Sequence, residues 1–338
     1  MNRQNARIAS CLFAAAALAA AASFAAPALA QGAYPERAVT VVSPYSPGGD
    51  ADIAGRNFAA AAQKVLGQPV VVVNKTGASG VIGSAFVVSA PPDGYTLLLA
   101  RTGSQAILPA IQPTSTKYKW DDYTFIGMLE LNPYGCAVNA RSAYQTRADR
   151  VKAITSKGKT LNFGTAGLMT TNDMGPRQLF KLLNLEPARM PTMIPYKGTG
   201  EAVMSLVAGE TDFSCGSIGP FLPHIKSGAL RALMVTNAER IPDLPDVPTA
   251  RELGHAEMEK IVGWSAVFGP PKMPTDIQAK LASALQSIAK DPAWLAGTAR
   301  TGSLPYVKSP EETRAFVKAQ YELYRSLGES LGIIDAKN

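Results

Sequence analysis

The sequence predicts an α/β protein of two domains, and three observations carry that prediction. Strand-like and helix-like segments alternate from Tyr34 onward, the pattern of parallel sheets covered by helices. The chain has 338 residues, 46% of them hydrophobic, which is enough for two packed cores. Three early strands each run into a polar, glycine-containing loop, and in open parallel sheets such loops lie at the carboxyl ends of strands, where ligands bind.

Residues 1–30 stand apart. Arg3 and Arg7 make a basic start, Ile8 to Ala26 is small and apolar, and Ala28-Leu29-Ala30 before Gln31 fits an A-x-A cleavage site. This is the pattern of a secretory signal peptide rather than of a membrane anchor, because the run is alanine-rich and Pro27 interrupts it. Ile8-Ala9-Ser10-Cys11 resembles a lipoprotein cleavage box, but the apolar run follows Cys11 instead of preceding it, so lipidation is rejected.

The elements follow in order. Val39 to Ser43 is a strand, Ser43 to Asp52 a loop, and Ile53 to Leu66 a helix that ends at Gly67. Gly48-Gly49 allows a tight turn and places N–H groups at a helix N-terminus, where small anions are favoured; the simpler reading is that Asp50 or Asp52 caps the helix. Pro69 to Val73 is a second strand, a glycine-rich loop and a helix to Ala90 come next, and Tyr95 to Ala100 is a third strand leading into the polar loop Arg101 to Gln105. Thr124 to Leu131, Gly135 to Asn139, Thr160 to Phe163, Pro191 to Pro195, Phe213 to Cys215, Arg231 to Thr236 and Trp264 to Phe268 are further strands. Helices are expected over Ala148 to Ser156, before Gly209 and at Pro223 to Gly228, while Ile241 to Pro248 is too proline-rich for regular structure and reads as a crossing segment. Two helices finish the chain. The first carries Ile277, Leu281, Leu285 and Ile288 on one stripe, and the second opens on the capping box Ser309-Pro310-Glu311-Glu312. The expected domains are 34–136 with 260–338, and 137–259.

Composition excludes several classes of function. Cleavage would remove two positive charges and leave +5 of the formal +7, a mild excess; the basic stretch Arg147 to Lys159 has apolar residues at helical spacing, as on a solvated helix face, so no nucleic-acid partner is expected. His224 and His255 are too few for a zinc site, and Cys136 and Cys215, each in an apolar run, read as buried free thiols more readily than as a disulfide. No nucleophile elbow, dinucleotide turn or phosphate loop is present, so no catalytic residue, metal or cofactor is expected. The loops instead supply backbone N–H groups and hydroxyls, which hold a carboxylate without reacting with it.

Seven motifs then stand in order along the chain: Tyr34-Pro35, Pro44 to Gly49, Leu66 to Val72, Pro92 to Leu97, Pro195 to Gly198, Leu222 to Gly228 and Leu244 to Thr249. Together they resemble the Bug-type solute-binding proteins of tripartite tricarboxylate transporters. The resemblance implies a type II periplasmic-binding-protein fold, two α/β domains with a central cleft and hinge-type closure. It implies a monomer in the periplasm that captures a small di- or tricarboxylate, or an aromatic carboxylate such as terephthalate, and delivers it to membrane components of the transporter. A ligand-binding periplasmic sensor is the alternative. By position, the implied ligand residues are Tyr45, Ser46, Gly48, Gly49, Asp50, Ala51 and Asp52; Thr102, Gly103 and Ser104; and Gly164, Thr165, Ala166, Gly167, Thr170 and Thr171. His224 looks structural. Two departures from the family pattern matter. Asn172-Asp173 replaces a common histidine, and Gly216 stands where many relatives carry an acid, which argues against an amino-acid ligand and for a larger acid.

Overall fold

The first strand shows how sequence becomes site. β1 (Val39–Ser43) is β-branched and buried along nearly its whole length, and it delivers the chain through one loop to α1 (Asp50–Leu66), whose buried alanines and Phe58 pack back toward the sheet. Gly67 closes that helix in the left-handed conformation, as its position predicts. The computed structural model describes residues 34–144, 147–186 and 189–335, and the expected signal peptide at 1–30 lies outside them. Everything below belongs to the unit Arg37–Asn338.

The further elements are β2 (Val70–Asn74), α2 (Val81–Val88), β3 (Thr96–Arg101), α3 (Leu108–Ile111), β4 (Thr124–Asn132), β5 (Tyr134–Asn139), α4 (Arg147–Lys157), β6 (Asn162–Thr165), α5 (Thr171–Leu182), β7 (Thr192–Pro195), α6 (Thr199–Ala208), β8 (Phe213–Ser217), α7 (Leu222–Lys226), β9 (Leu230–Val235), β10 (Gly263–Gly269), α8 (Thr275–Ile288), α9 (Pro292–Arg300), β11 (Leu304–Lys308) and α10 (Pro310–Leu331). Among the described residues they form a six-stranded sheet in the order β11-β4-β10-β3-β1-β2 and a five-stranded sheet in the order β7-β6-β8-β5-β9. The sheets are mixed and not purely parallel. β1, β2 and β3 run parallel in the first and β6, β7 and β8 in the second, while β10 and β5 pair antiparallel with their neighbours.

That mixture follows from the crossings. The chain leaves the first sheet after β4, passes Pro133 and enters the second as β5, then returns through 236–262 to enter the first as β10. A strand that arrives from the other sheet is free of the right-handed crossover that makes βαβ neighbours parallel. The two crossings are tied together where Thr236 N–H donates to Tyr134 O at 2.7 Å. Buried aromatic clusters fill each half, Tyr123, Phe125, Trp264 and Phe268 in one and Phe163, Phe180 and Phe213 in the other. Each such ring contributes roughly 2–3 kcal/mol by leaving water.

Several sequence expectations change. Arg101 to Gln105 is no loop: β3 runs through Arg101, and Gly103–Ile107 forms a π-helical turn that continues as α3. The tail holds three helices and a strand, because α9 and β11 precede α10. Asp291 caps α9 by accepting Ala293 N–H at 2.7 Å, with Pro292 at the first helical position. The predicted capping box of α10 is present, and that helix packs on β4 and the Gly103–Ile107 turn of the first half. Cys136 and Cys215 are disulfide-bonded, not free. They face each other across the antiparallel β5–β8 pair with Cα atoms 4.1 Å apart, a cross-strand approach that their 79-residue separation conceals. Among the described residues no helix is long and apolar enough to cross a membrane.

Candidate functional site

Three helices start on one cavity, and all three start in the same way. Gly49, Thr170 and Gly198 are the N-caps of α1, α5 and α6, each lines the cavity, and none caps its helix with a side chain. An acid at the third helical position instead reaches past the N-cap to the residue before it. Gly48 N–H donates to Asp52 Oδ2 at 3.1 Å, Met169 N–H to Asp173 Oδ2 at 3.0 Å, and Lys197 N–H to Glu201 Oε2 at 3.1 Å. Each loop is pinned through the residue before its N-cap, while the first residues of the three helices, Asp50, Thr171 and Thr199, line the cavity and carry N–H groups that an α-helix leaves without an i−4 partner. Together with the helix dipoles they favour an anion.

Asp52 is the most elaborated of these acids. It also accepts from Arg56 Nε at 2.9 Å and Asn74 Nδ2 at 2.9 Å, and Asn74 donates in addition to Tyr45 O at 3.0 Å. Burial opposes its ionisation, yet the hydrogen bonds from Arg56, Gly48 and Asn74 outweigh burial and hold its carboxyl below the usual range.

The cavity is lined from the first half by Tyr45, Gly49, Asp50, Arg101, Thr102 and Gly103. The second half contributes Ala166, Thr170, Thr171, Asn172, Gly198 and Thr199. Arg101 is the cation of this lining and Asp50 the anion. The Arg101 guanidinium, its side chain only 6% exposed, donates to Asp50 Oδ2 and to Ser265 Oγ. Behind Ser265, Glu130 accepts from Ser265 Oγ at 3.0 Å and from Asn132 Nδ2 at 2.9 Å. Burial raises the Glu130 carboxyl pKa, and the bonds from Asn132 and Ser265 and the nearby Arg101 charge reverse only part of that. Tyr45 donates to Ser79 O at 3.1 Å, and burial pushes its phenol up to about 12, so it remains a donor at neutral pH.

Of the sequence-derived ligand residues, Tyr45, Gly49, Asp50, Thr102, Gly103, Ala166, Thr170 and Thr171 line this cavity. The others are absent from the lining, and most make hydrogen bonds within or between the surrounding loops. Ser46 donates to Lys197 O at 3.4 Å across the mouth, Ala51 N–H turns to Asp50 Oδ1, and Ser104 Oγ donates to Gln105 Oε1 at 2.6 Å. Gly164 O accepts from Ser214 Oγ at 2.8 Å, and Thr165 Oγ1 donates to Gly167 O at 2.8 Å. The glycine pair is expected to bring N–H groups at this helix start toward an anion; Gly48 N–H goes to Asp52 and Gly49 N–H to Ser46 O at 3.4 Å, so of the loop's amides it is Asp50, the first helical residue, that lies at the cavity without a backbone partner among the described residues.

Four lining residues escaped the sequence reading. Arg101 is expected in a loop, Asn172 has no expected role, Gly198 ends a motif noted only for its resemblance, and Thr199 directly follows that motif. The signal for the last two is the acid four residues after Lys197, the spacing that Gly48–Asp52 also has. Gly216 does not leave room for a larger ligand, since a Cβ there would lie 2.4 Å from Asn172 Nδ2, whose side chain fills the space. His224 is absent from the lining.

The model of the tripartite tricarboxylate transporter family receptor, TctC, matches residues 54–333. Protein BugT of Bordetella pertussis is 32% identical over 304 residues, 88% of this chain and 90% of that one. MatC from Rhodopseudomonas palustris, solved with bound malate, superposes with a TM-score of 0.80 at 29% identity and covers 87% of this chain and 100% of its own. An R. palustris protein solved with adipate gives 0.83 at 25%, over 89% and 99%. These relatives are solute-binding proteins and not enzymes, and among the described residues no group of His, Cys, Asp and Glu is placed to hold a metal. The chain therefore belongs to the Bug-type receptors of the tripartite tricarboxylate transporter family, the periplasmic solute-binding proteins known as TctC.

Proposed function

We propose that this receptor captures a small aliphatic dicarboxylate between its two halves, closes over it and delivers it to the membrane components of a tripartite tricarboxylate transporter. One observation carries the reading: three helix N-termini, none capped by a side chain, meet at one cavity whose lining side chains carry one positive and one negative charge. Arg101 and Asp50 offset each other, which leaves the helix ends as the unbalanced positive field. One further fact supports it: relatives of the same fold hold malate and adipate. Closure is expected because the N-termini come from both halves and one ligand engages them together only when the halves meet. The periplasm as its compartment agrees with the expected signal sequence and with the disulfide.

The test is a thermal-shift screen with succinate, glutarate, adipate, malate, citrate, terephthalate, glutamate and aspartate, followed by calorimetry. A ligand that binds only the folded state raises the unfolding temperature. A rise confined to aliphatic dicarboxylates is the expected result, and a rise with amino acids alone overturns the reading.

A further inference from the structure

One carboxylate already stands in the cavity, and it is the protein's own. Asp50 is the first residue of α1 and lines the cavity, and its side chain turns back on the start of that helix: Oδ1 accepts Ala51 N–H at 2.9 Å, and Oδ2 accepts from the buried Arg101 guanidinium. A helix-start N–H and an arginine fork are the partners by which proteins commonly hold a carboxylate. Arg101 is fixed in this position from behind, where its Nη1 donates to Ser265 Oγ, itself bonded to Glu130. The opposite wall differs. Thr171 and Thr199, the first residues of α5 and α6, are buried and line the cavity, and their hydroxyls hold no side-chain hydrogen bond among the described residues. No acid lines that wall.

Resting on the dicarboxylate reading above, we propose that Asp50 determines how many carboxylates a ligand can bring: its own carboxylate holds the place beside α1 and Arg101 that a third would need, so the receptor accepts diacids and excludes triacids. A further ligand carboxylate on that side meets a like charge and finds Ala51 N–H and the Arg101 guanidinium engaged. This is specificity by repulsion. Removing the Asp50 carboxylate frees both partners, and a buried guanidinium left unpaired favours a ligand that brings a replacement.

The test measures binding by calorimetry, beside unfolding curves without ligand, for two matched sets: glutarate, 3-methylglutarate and tricarballylate, and adipate, 3-methyladipate and butane-1,2,4-tricarboxylate. In each set the methyl group stands where the triacid has its extra carboxylate but carries no charge. Wild type is expected to bind the better methyl diacid about tenfold or more tighter than the matching triacid. Asp50→Ala is expected to close or reverse that gap, and Asp50→Asn, which keeps the size of the side chain and loses its charge, to narrow it about three- to tenfold. A merely structural aspartate would lower affinity for every member of a set equally, in step with lost stability, and that outcome overturns the assignment. So does a wild type that binds triacid and methyl diacid within about twofold of each other. Should Asp50→Ala fail to fold, Asp50→Asn decides, because its carboxamide oxygen still accepts from Arg101. If wild type binds neither glutarate nor adipate, the dicarboxylate reading falls and takes this inference with it; if wild type binds one and the ratio is unmoved in the folded variants, the inference alone falls.

Discussion

Glu130 and Asp52 show how two buried carboxyls of one chain acquire opposite tendencies. Asp52 gathers three donors and is held low, whereas Glu130 sits 3% exposed behind Ser265 and is raised by burial. A raised carboxyl binds its proton more tightly folded than unfolded, so the stability it contributes is present below the ordinary glutamate range and lost as pH rises through the folded value. Glu130→Gln is therefore expected to match wild type in acid and to gain on it as pH increases, read by urea unfolding at ~pH 4 and ~pH 8. Wild type that stays level with or above the variant throughout contradicts this account of Glu130. Little of it is visible in the sequence. Glu130 lies in a strand whose apolar neighbours fix its burial, but its partners come from residues 132 and 265, and Arg101 is brought near only by the antiparallel return of β10.

At the scale of elements, the acid that reaches past the N-cap is the recurring part. It fixes a loop through the residue before the N-cap, so the bond consumes none of the helix's own first-turn N–H groups. Asp52→Asn is expected to destabilise the ligand-free protein by about 1–3 kcal/mol at neutral pH through the loss of charge-assisted bonds to Gly48 and Arg56. Because the Asp52 pKa is lowered, its contribution is present above the ordinary aspartate range and disappears as pH falls through the folded value, so variant and wild type converge in acid. A deficit independent of pH would contradict this. β1 and α1 were legible because a β-branched run, a glycine pair and a glycine C-cap punctuate them. The Gly103–Ile107 turn was not, since no local signal distinguishes a π-helical turn from a polar loop and its shape is set by packing against α10. α9 had a signal, Asp291-Pro292, that the two-helix reading of the tail passed over.

For the molecule as a whole, one buried core runs through both sheets, and at the cavity the loop after β1 meets the start of α6 at a seam of small residues. Ser46 bonds to Lys197 O, and Gly198 approaches so closely that a Cβ on it would sit 2.4 Å from Ser46 Oγ. Gly198 has extended backbone that any residue adopts, so Gly198→Val adds bulk at the seam with little strain within its own half. It is expected to weaken binding about tenfold or more by disfavouring closure, with little change in the ligand-free unfolding temperature; equal loss of both would place its effect in folding instead. The central claim, that backbone N–H groups at three helix starts hold the ligand, is tested most directly by backbone amide NMR during titration with malate and with adipate. The account predicts that the acid that binds shifts the amides of Asp50, Thr171 and Thr199 together, saturating with one affinity. Shifts that leave the starts of α5 and α6 unmoved at saturation would contradict it.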